Sequence, residues 1–467
     1  MKTLKNHKFV LAMQAMMLMA MVQGSVAQED DKAYLQTANA IIDEALQRGK
    51  AYEMLRELSF EVGPRLSGSP QAAAAVEWGR ETMIEHGLEN VHLQEVMVPH
   101  WERGPIERAA VVNSSFVGTH ELTVCALGGS IATPTLGVTA EVLEVQTMDE
   151  LHQKASEAAG KIIFFNRPMD ATKRNTFAAY GGAVNQRGSG AAEAAKVGAV
   201  AALVRSMTTA LDDVPHTGGM HYEEGVPKIP SAAISTLDAN FLSDLLKKGA
   251  PVSVNLQLSS RTLPDTPSAN VVGEITGSEL PDEVVLLGGH LDSWDKGHGA
   301  HDDGSGCVQS IEALRLLKAL NLRPRRTIRA VLFMNEENGL RGGKGYAEHV
   351  EKNGPKHIVA IESDRGGFAP RGITVQAENQ IVAKVARWSY LLEQIGADRI
   401  ERGGGGADIS PLVPQGTVTM GLMVESHRYF DYHHSANDTF DKVNERELTL
   451  GAATMAIIAY VLANEGL

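Results

Sequence analysis

From residue 30 to residue 88 the apolar positions recur at helical spacing. Ala38, Ile41, Ile42, Ala45 and Leu46 form one stripe, the three-to-four repeat of a helix that buries a single face. The stretch Gly63-Pro64-Arg65-Leu66-Ser67-Gly68-Ser69-Pro70 interrupts the repeat, and Pro70 suits the first turn of the next helix, where its missing N–H removes no hydrogen bond. Residues 90–98 then alternate like an outer strand. Between 120 and 261 the texture changes to short β-rich pieces, at 136–143, 161–165 and 199–204, around one Ala-rich helix at 190–198. No cluster of ligand-type side chains falls there, so this stretch reads as an inserted domain without chemistry of its own.

The last part of the chain alternates regularly. Val284-Val285-Leu286-Leu287 is wholly apolar and runs into Gly288-Gly289-His290, and 330–334, 358–361 and 418–424 repeat the pattern. Amphipathic helices at 307–320 and 383–395 separate these runs, and a final helix covers 445–463. The expected fold is α/β, with a mixed, mostly parallel central sheet covered by helices on both faces. In such a sheet the ligand sits beyond the carboxyl ends of the strands. The predicted segments are 1–27 as a leader, 28–119 as the first part of the main domain, 120–262 as the insert and 263–467 as the part that carries the chemistry.

Lys2, Lys5 and Lys8 precede an apolar run at 9–22 and the small residues Ser25-Val26-Ala27, the pattern of a cleaved export signal. The run is shorter than the ~20 residues that span a bilayer. A secreted or periplasmic protein free of the membrane after cleavage is expected. The 43 Lys plus Arg against 57 Asp plus Glu leave a net charge of −14, which repels phosphate backbones, so nucleic acid is not an expected partner. Cys125 and Cys307 are too few for a disulfide framework and wrongly spaced for a thiolate zinc site. A metal must be held by imidazole and carboxylate.

Past the ends of the predicted strands stand His290 and Asp292, Asp302 and Asp303, Glu336 and Glu337, Asp364, and His434. Burying a carboxylate costs several kcal/mol unless a cation or hydrogen bonds compensate it, so a converging set of this size implies metal. Two divalent ions satisfy the charge. Zinc accepts imidazole and carboxylate, and two-metal hydrolases hold their ions roughly 3.5–4 Å apart across a shared carboxylate and water. Spacing alone leaves open which of Glu336 and Glu337 ligates and which moves protons. His216, His221, His349 and His357 read as surface or locally hydrogen-bonded residues, and the sequons at Asn113 and Asn437 as chance matches.

The strings Gly289-His290-Leu291-Asp292-Ser293, Asp302-Asp303-Gly304-Ser305-Gly306, Asn335-Glu336-Glu337, Glu362-Ser363-Asp364 and His434-Ser435-Ala436-Asn437-Asp438-Thr439 resemble, in order, those of the secreted co-catalytic zinc metallo-exopeptidases of the bacterial leucyl aminopeptidase type. Longer runs, 290–295, 299–304, Leu322-Arg323-Pro324 and the double histidine at 433 and 434, resemble the carboxypeptidase Q subgroup, and the insert looks like a protease-associated domain. The resemblance implies two zinc ions: His290 and Asp364 on one, Glu337 and His434 on the other, and Asp302 bridging. It implies Glu336 as the general base that takes a proton from a metal-activated water, Asp292 as the acid that fixes the His290 tautomer, and a cis peptide after Asp302, with Asp303 not a ligand. The offset to Asp438-Thr439 favours His434 over His433.

The implied substrate is a dipeptide or other short peptide, and the implied assembly a homodimer. Aminopeptidase action, a single-zinc glutaminyl cyclase and an inert receptor-like ectodomain are the competing readings; the complete ligand set and the retained Glu336 argue against the last two. Arg428, Tyr429, Tyr432 and the glycine run at 403–406 are candidates for the substrate cleft, with Tyr429 donating to an oxyanion and Arg428 meeting a carboxylate. Ala407 and Ile409 depart from the Ser or Thr and the His that many relatives carry there.

Overall fold

The computed structural model describes residues 31–467; the expected signal at 1–27 lies outside them. The described residues build two eight-stranded sheets. In spatial order the first contains Glu89–Glu102, Arg261–Ile275, Arg326–Phe333, Leu280–His290, Lys356–Glu362, Val418–Val424, Pro370–Gln376 and Arg399–Arg402. Its four central strands, from Arg326–Phe333 to Val418–Val424, run parallel, and antiparallel pairs flank them. The expected mixed, mostly parallel sheet is therefore present.

The wholly apolar runs exist because both faces are covered. Val284 and Leu286 pack with Tyr346 and Val350 of the helix Arg341–Asn353. Val285 and Leu287 point the other way, into the cluster with Val308 and Ile311 of the helix Ser305–Ala319 and Ile457 and Ile458 of the helix Glu445–Glu465. Each such side chain contributes about 1.5–3 kcal/mol on burial, so a slip by one residue would forfeit both faces at once. Asn444 caps the final helix by accepting from the Glu447 N–H at 3.1 Å. That helix is long and apolar enough to cross a membrane, yet most of it is buried inside the protein.

Pro70 opens the helix Pro70–Glu85 behind a Ser69 cap, as its position predicts. The helix expected at 383–395 is shorter. It covers Asn379–Ala386, and the single turns Ser389–Leu391 and Glu393–Ile395 are 3-10. The apolar pairs Trp388/Leu391 and Leu392/Ile395 are three residues apart, a spacing that serves an i→i+3 turn as well as an α-helix.

The second sheet holds, in order, Gly118–Leu122, Glu107–Ser114, Ser253–Leu258, Val138–Val145, Ile162–Phe165, Ala201–Arg205, Ser231–Ile234 and Val124–Ala126. Its chain leaves and returns through a paired ribbon in which Trp101 faces Thr262 and Glu102 faces Arg261. The sheet thus starts at Glu107, ahead of the boundary expected at 120. Glu107–Ser114 alternates in burial like any outer strand, so no change of texture marks the sheet it joins.

Candidate metal centre

Each ligand-type residue stands at or beyond the carboxyl end of a central parallel strand. His290 is the last residue of its strand, Glu336 and Glu337 follow Phe333, Asp364 follows Glu362, and His434 lies in the loops after Val424. Asp302 sits in the turn before the helix Ser305–Ala319, and the Asp302–Asp303 peptide is cis, as the resemblance implied.

The two oxygens of Asp302 face two different groups. Oδ1 lies 3.2 Å from His290 Nε2, which is 3.6 Å from Asp364 Oδ1. Oδ2 lies 3.2 Å from His434 Nε2, which is 3.0 Å from Glu337 Oε2. Oδ2 is buried and accepts no hydrogen bond. Burial opposes ionisation of Asp302, but the imidazoles of His290 and His434 outweigh it and hold the carboxyl well below the usual range. Burial likewise opposes charge on His434, yet Glu337 and Asp302 lift it to about 10. A place that favours positive charge this strongly, offering nitrogen and carboxylate oxygen alone, suits a divalent cation of the zinc type.

Supporting contacts fix this set. His290 Nδ1 lies 3.0 Å from the Asp292 carbonyl, which can only accept, so Nδ1 donates and Nε2 is the nitrogen turned to Asp302 and Asp364. The Asp292 carboxylate is 3.9 Å from that nitrogen; its Oδ1 accepts the N–H groups of Asn335 at 2.6 Å and Glu336 at 3.0 Å. Asn335, at a φ of +73°, turns the chain so that Glu336 and Glu337 both face the centre. Asp303 points away from the centre, accepting from the N–H groups of His290 at 3.0 Å and Gly306 at 2.9 Å.

Several contributors carry no signal in the sequence. Arg65 is fully buried and donates to three carbonyls of the loop between His290 and Asp302: Leu291 at 2.6 Å, His298 at 2.6 Å and Gly299 at 3.0 Å. His301 packs against both Phe368 and Tyr432, its ring near parallel to theirs, and accepts from the Gly367 N–H. Asp302 and Asp303 follow it in the chain, and nothing in the spacing separates it from a surface histidine.

His433 is closer to the centre than expected. It stacks on His434 with ring centroids 3.5 Å apart, and its Nε2 is 3.7 Å from Asp302 Oδ2, so Asp302, His433 and His434 could share an ion. His216, read above as a surface or locally bonded residue, is buried, and its Nδ1 donates to the His433 carbonyl at 2.7 Å. A loop of the second-sheet segment therefore reaches the centre. His221 and His349 are exposed, and His357 is buried between Tyr346 Oη and the Pro355 carbonyl.

Among the cleft candidates, Tyr429 is buried, and burial together with Asp302 and Asp364 keeps its phenol protonated. Arg428 is exposed and lies over the Phe368 ring at 5.3 Å rather than facing the centre. The loop that carries Ala407 and Ile409 is tied to the sheet by the Ile409 N–H, which donates to Glu362 Oε2 at 3.0 Å.

The profile of peptidase family M28 matches residues 270–461. Carboxypeptidase Q of Mus musculus is 41% identical over 439 residues, 93% of this chain and 91% of that one. Carboxypeptidase Q of Homo sapiens is 40% identical over 430 residues, 91% and 89% of the two chains. A peptidase M28 precursor from Shewanella amazonensis SB2B has a crystal structure that matches with a TM-score of 0.88 at 37% identity, covering 94% of this chain and 98% of that one. BSAP, a zinc aminopeptidase from Bacillus subtilis, shares the fold at a TM-score of 0.65 and 20% identity over 89% and 95% of the chains. With this identity along nearly all of both sequences, and with His290, Asp302, Glu337, Asp364 and His434 all inside the matched segment, the chain belongs to peptidase family M28 and is a hydrolase of peptide bonds.

Proposed function

We propose that the protein is a zinc-dependent exopeptidase of dipeptides and other short peptides that works with two zinc ions, His290 and Asp364 holding one, Glu337 and His434 the other, and Asp302 both. The observation that carries this reading is the division of Asp302, whose Oδ1 and Oδ2 each meet a separate imidazole at 3.2 Å. A single-ion site has no use for that symmetry. When bound, zinc acidifies a water molecule and polarises the scissile carbonyl.

The protein's own groups do the rest. Glu336 is held by its N–H on Asp292, and burial with the carboxylates of Asp364 and Glu337 pushes its carboxyl well above the usual range. It takes a proton from the attacking water on a carboxylate oxygen and hands it to the departing amine. The protonated Tyr429 hydroxyl is the available donor to negative charge developing on the carbonyl oxygen. Export after cleavage near residue 27, and a protease-associated identity for the second-sheet segment, belong to the same reading; both are supported by the sequence patterns at those positions.

The test is hydrolysis of one dipeptide and its two singly blocked forms, before and after chelation and again after zinc is restored. A dipeptidase cleaves only the form with both termini free, and chelation abolishes the activity. Cleavage of the C-terminally blocked form would make the enzyme an aminopeptidase, and cleavage of the N-terminally blocked form a carboxypeptidase. Activity that survives chelation would remove the metal from the account.

A further inference from the structure

Three consecutive residues of the second-sheet segment meet the dipeptide His433-His434. His216 Nδ1 donates to the His433 carbonyl at 2.7 Å, the Thr217 N–H donates to the His434 carbonyl at 2.9 Å, and Gly218 leaves no room for a side chain, because a Cβ there would lie 2.7 Å from His434 Nδ1. Arg187, also from this segment and buried, places Nη1 3.3 Å from that same Nδ1. Nε2 is the nitrogen turned to Glu337 and Asp302, at 3.0 and 3.2 Å. A ring that ligates through Nε2 keeps its hydrogen on Nδ1, so Arg187, which has donors and no acceptor, borders the ring without a hydrogen bond to it. Nη2 of Arg187 donates to Tyr180 Oη at 2.6 Å, which fixes the fork.

His434 has a φ of +60°, a left-handed conformation that a histidine keeps only when its surroundings hold it. The hydrogen bonds to the carbonyls of 433 and 434 are such a hold, and both come from the second sheet. This segment is itself anchored to the loop after His290: Arg103 pairs with Asp295 at 2.6 Å and donates to Thr217 Oγ1 at 3.2 Å. We propose that the second-sheet segment is a working part of the metal centre, with His216 and Thr217 as positioning residues that, through the carbonyls of 433 and 434, set the orientation of the His434 imidazole. The inference rests on His434 being a metal ligand.

The test uses the full chain as wild type, His216→Ala, His216→Asn and His434→Ala. Zinc affinity is measured by competition with a chelator, and amide hydrogen exchange at Thr217 is followed with and without zinc. His216→Ala should bind zinc on the order of tenfold or more weakly, the usual effect of losing a partner behind a ligand, with kcat falling while KM stays nearly constant. His216→Asn, whose amide can still donate to the His433 carbonyl, should recover part of the affinity. In the wild type, zinc should slow exchange at Thr217, and in His434→Ala it should not.

Wild-type affinity in His216→Ala, or a Thr217 amide indifferent to zinc while amides of 290–302 slow, would overturn the proposal. Should His216→Ala fail to fold, the wild-type exchange at Thr217 decides alone. Full zinc content in His434→Ala would instead overturn the ligand assignment beneath it.

Discussion

The carboxylate of Asp438 grips the backbone of Asp302, with Oδ2 accepting the Asp302 N–H at 3.1 Å and Oδ1 the His301 N–H at 2.7 Å. A buried acid thus fixes the peptide that carries the proposed bridging ligand, leaving the side chain of Asp302 free for its two partners. Asp438→Asn puts an amide NH2 against one of these N–H groups. Zinc affinity should fall by about 10–100-fold with the circular dichroism spectrum unchanged; an unaltered zinc isotherm would contradict this role.

Glu336→Gln removes the proton acceptor and leaves every proposed ligand in place. It should retain zinc close to the wild-type amount while kcat falls on the order of 10²–10⁴-fold. Asp302→Asn should do the reverse and lose bound metal first. Metal analysis of both purified variants, beside their rates on one dipeptide, separates the two roles.

Arg65→Ala strips the donors from the carbonyls of Leu291, His298 and Gly299 in a place closed to solvent. Each buried carbonyl left unpaired costs about 1–3 kcal/mol, so the variant should lose several kcal/mol in urea unfolding. Arg65→Lys, with one ammonium in place of the fork, should recover only part of it. A loss below about 1 kcal/mol in the alanine variant would show that the loop is held by something else.

His357 lies far from the centre and supplies a pH test of the fold alone. Burial, then the Arg329 charge, lowers its pKa to about 4 from an ordinary 6.5. The unfolded chain therefore binds the extra proton between those values, so the contribution to stability is complete above about pH 6.5 and is lost as pH falls toward 4. The full effect is roughly 3 kcal/mol. Unfolding of chelated protein at pH 7 and pH 4.5 should show a shallower loss in His357→Gln than in the wild type; equal slopes would contradict the assignment.

The central strands and the ligand set are legible in the sequence for one physical reason. A strand covered on both faces must be apolar throughout, so Val284 to Leu287 announce both the sheet and the end at which His290 emerges. What is hidden is long-range and partly backbone. Arg65 meets only carbonyls, which every residue has, so no side-chain pattern can reveal its partners. The contact of His216 with His433 joins loops 217 residues apart in the chain, and a strand such as Glu107–Ser114 carries no mark of which sheet it will join. The spacing of Glu336 and Glu337 leaves their division of labour open, and the turn that precedes them hangs on Asn335, a single residue with a positive φ.

The most direct measurement is anomalous diffraction at the zinc edge from crystals of the full chain grown with zinc. The account predicts two peaks on either side of the Asp302 carboxylate, roughly 3.5–4 Å apart, one beside His290 and Asp364 and one beside Glu337 and His434. A single peak, or two peaks that do not share Asp302, would contradict it.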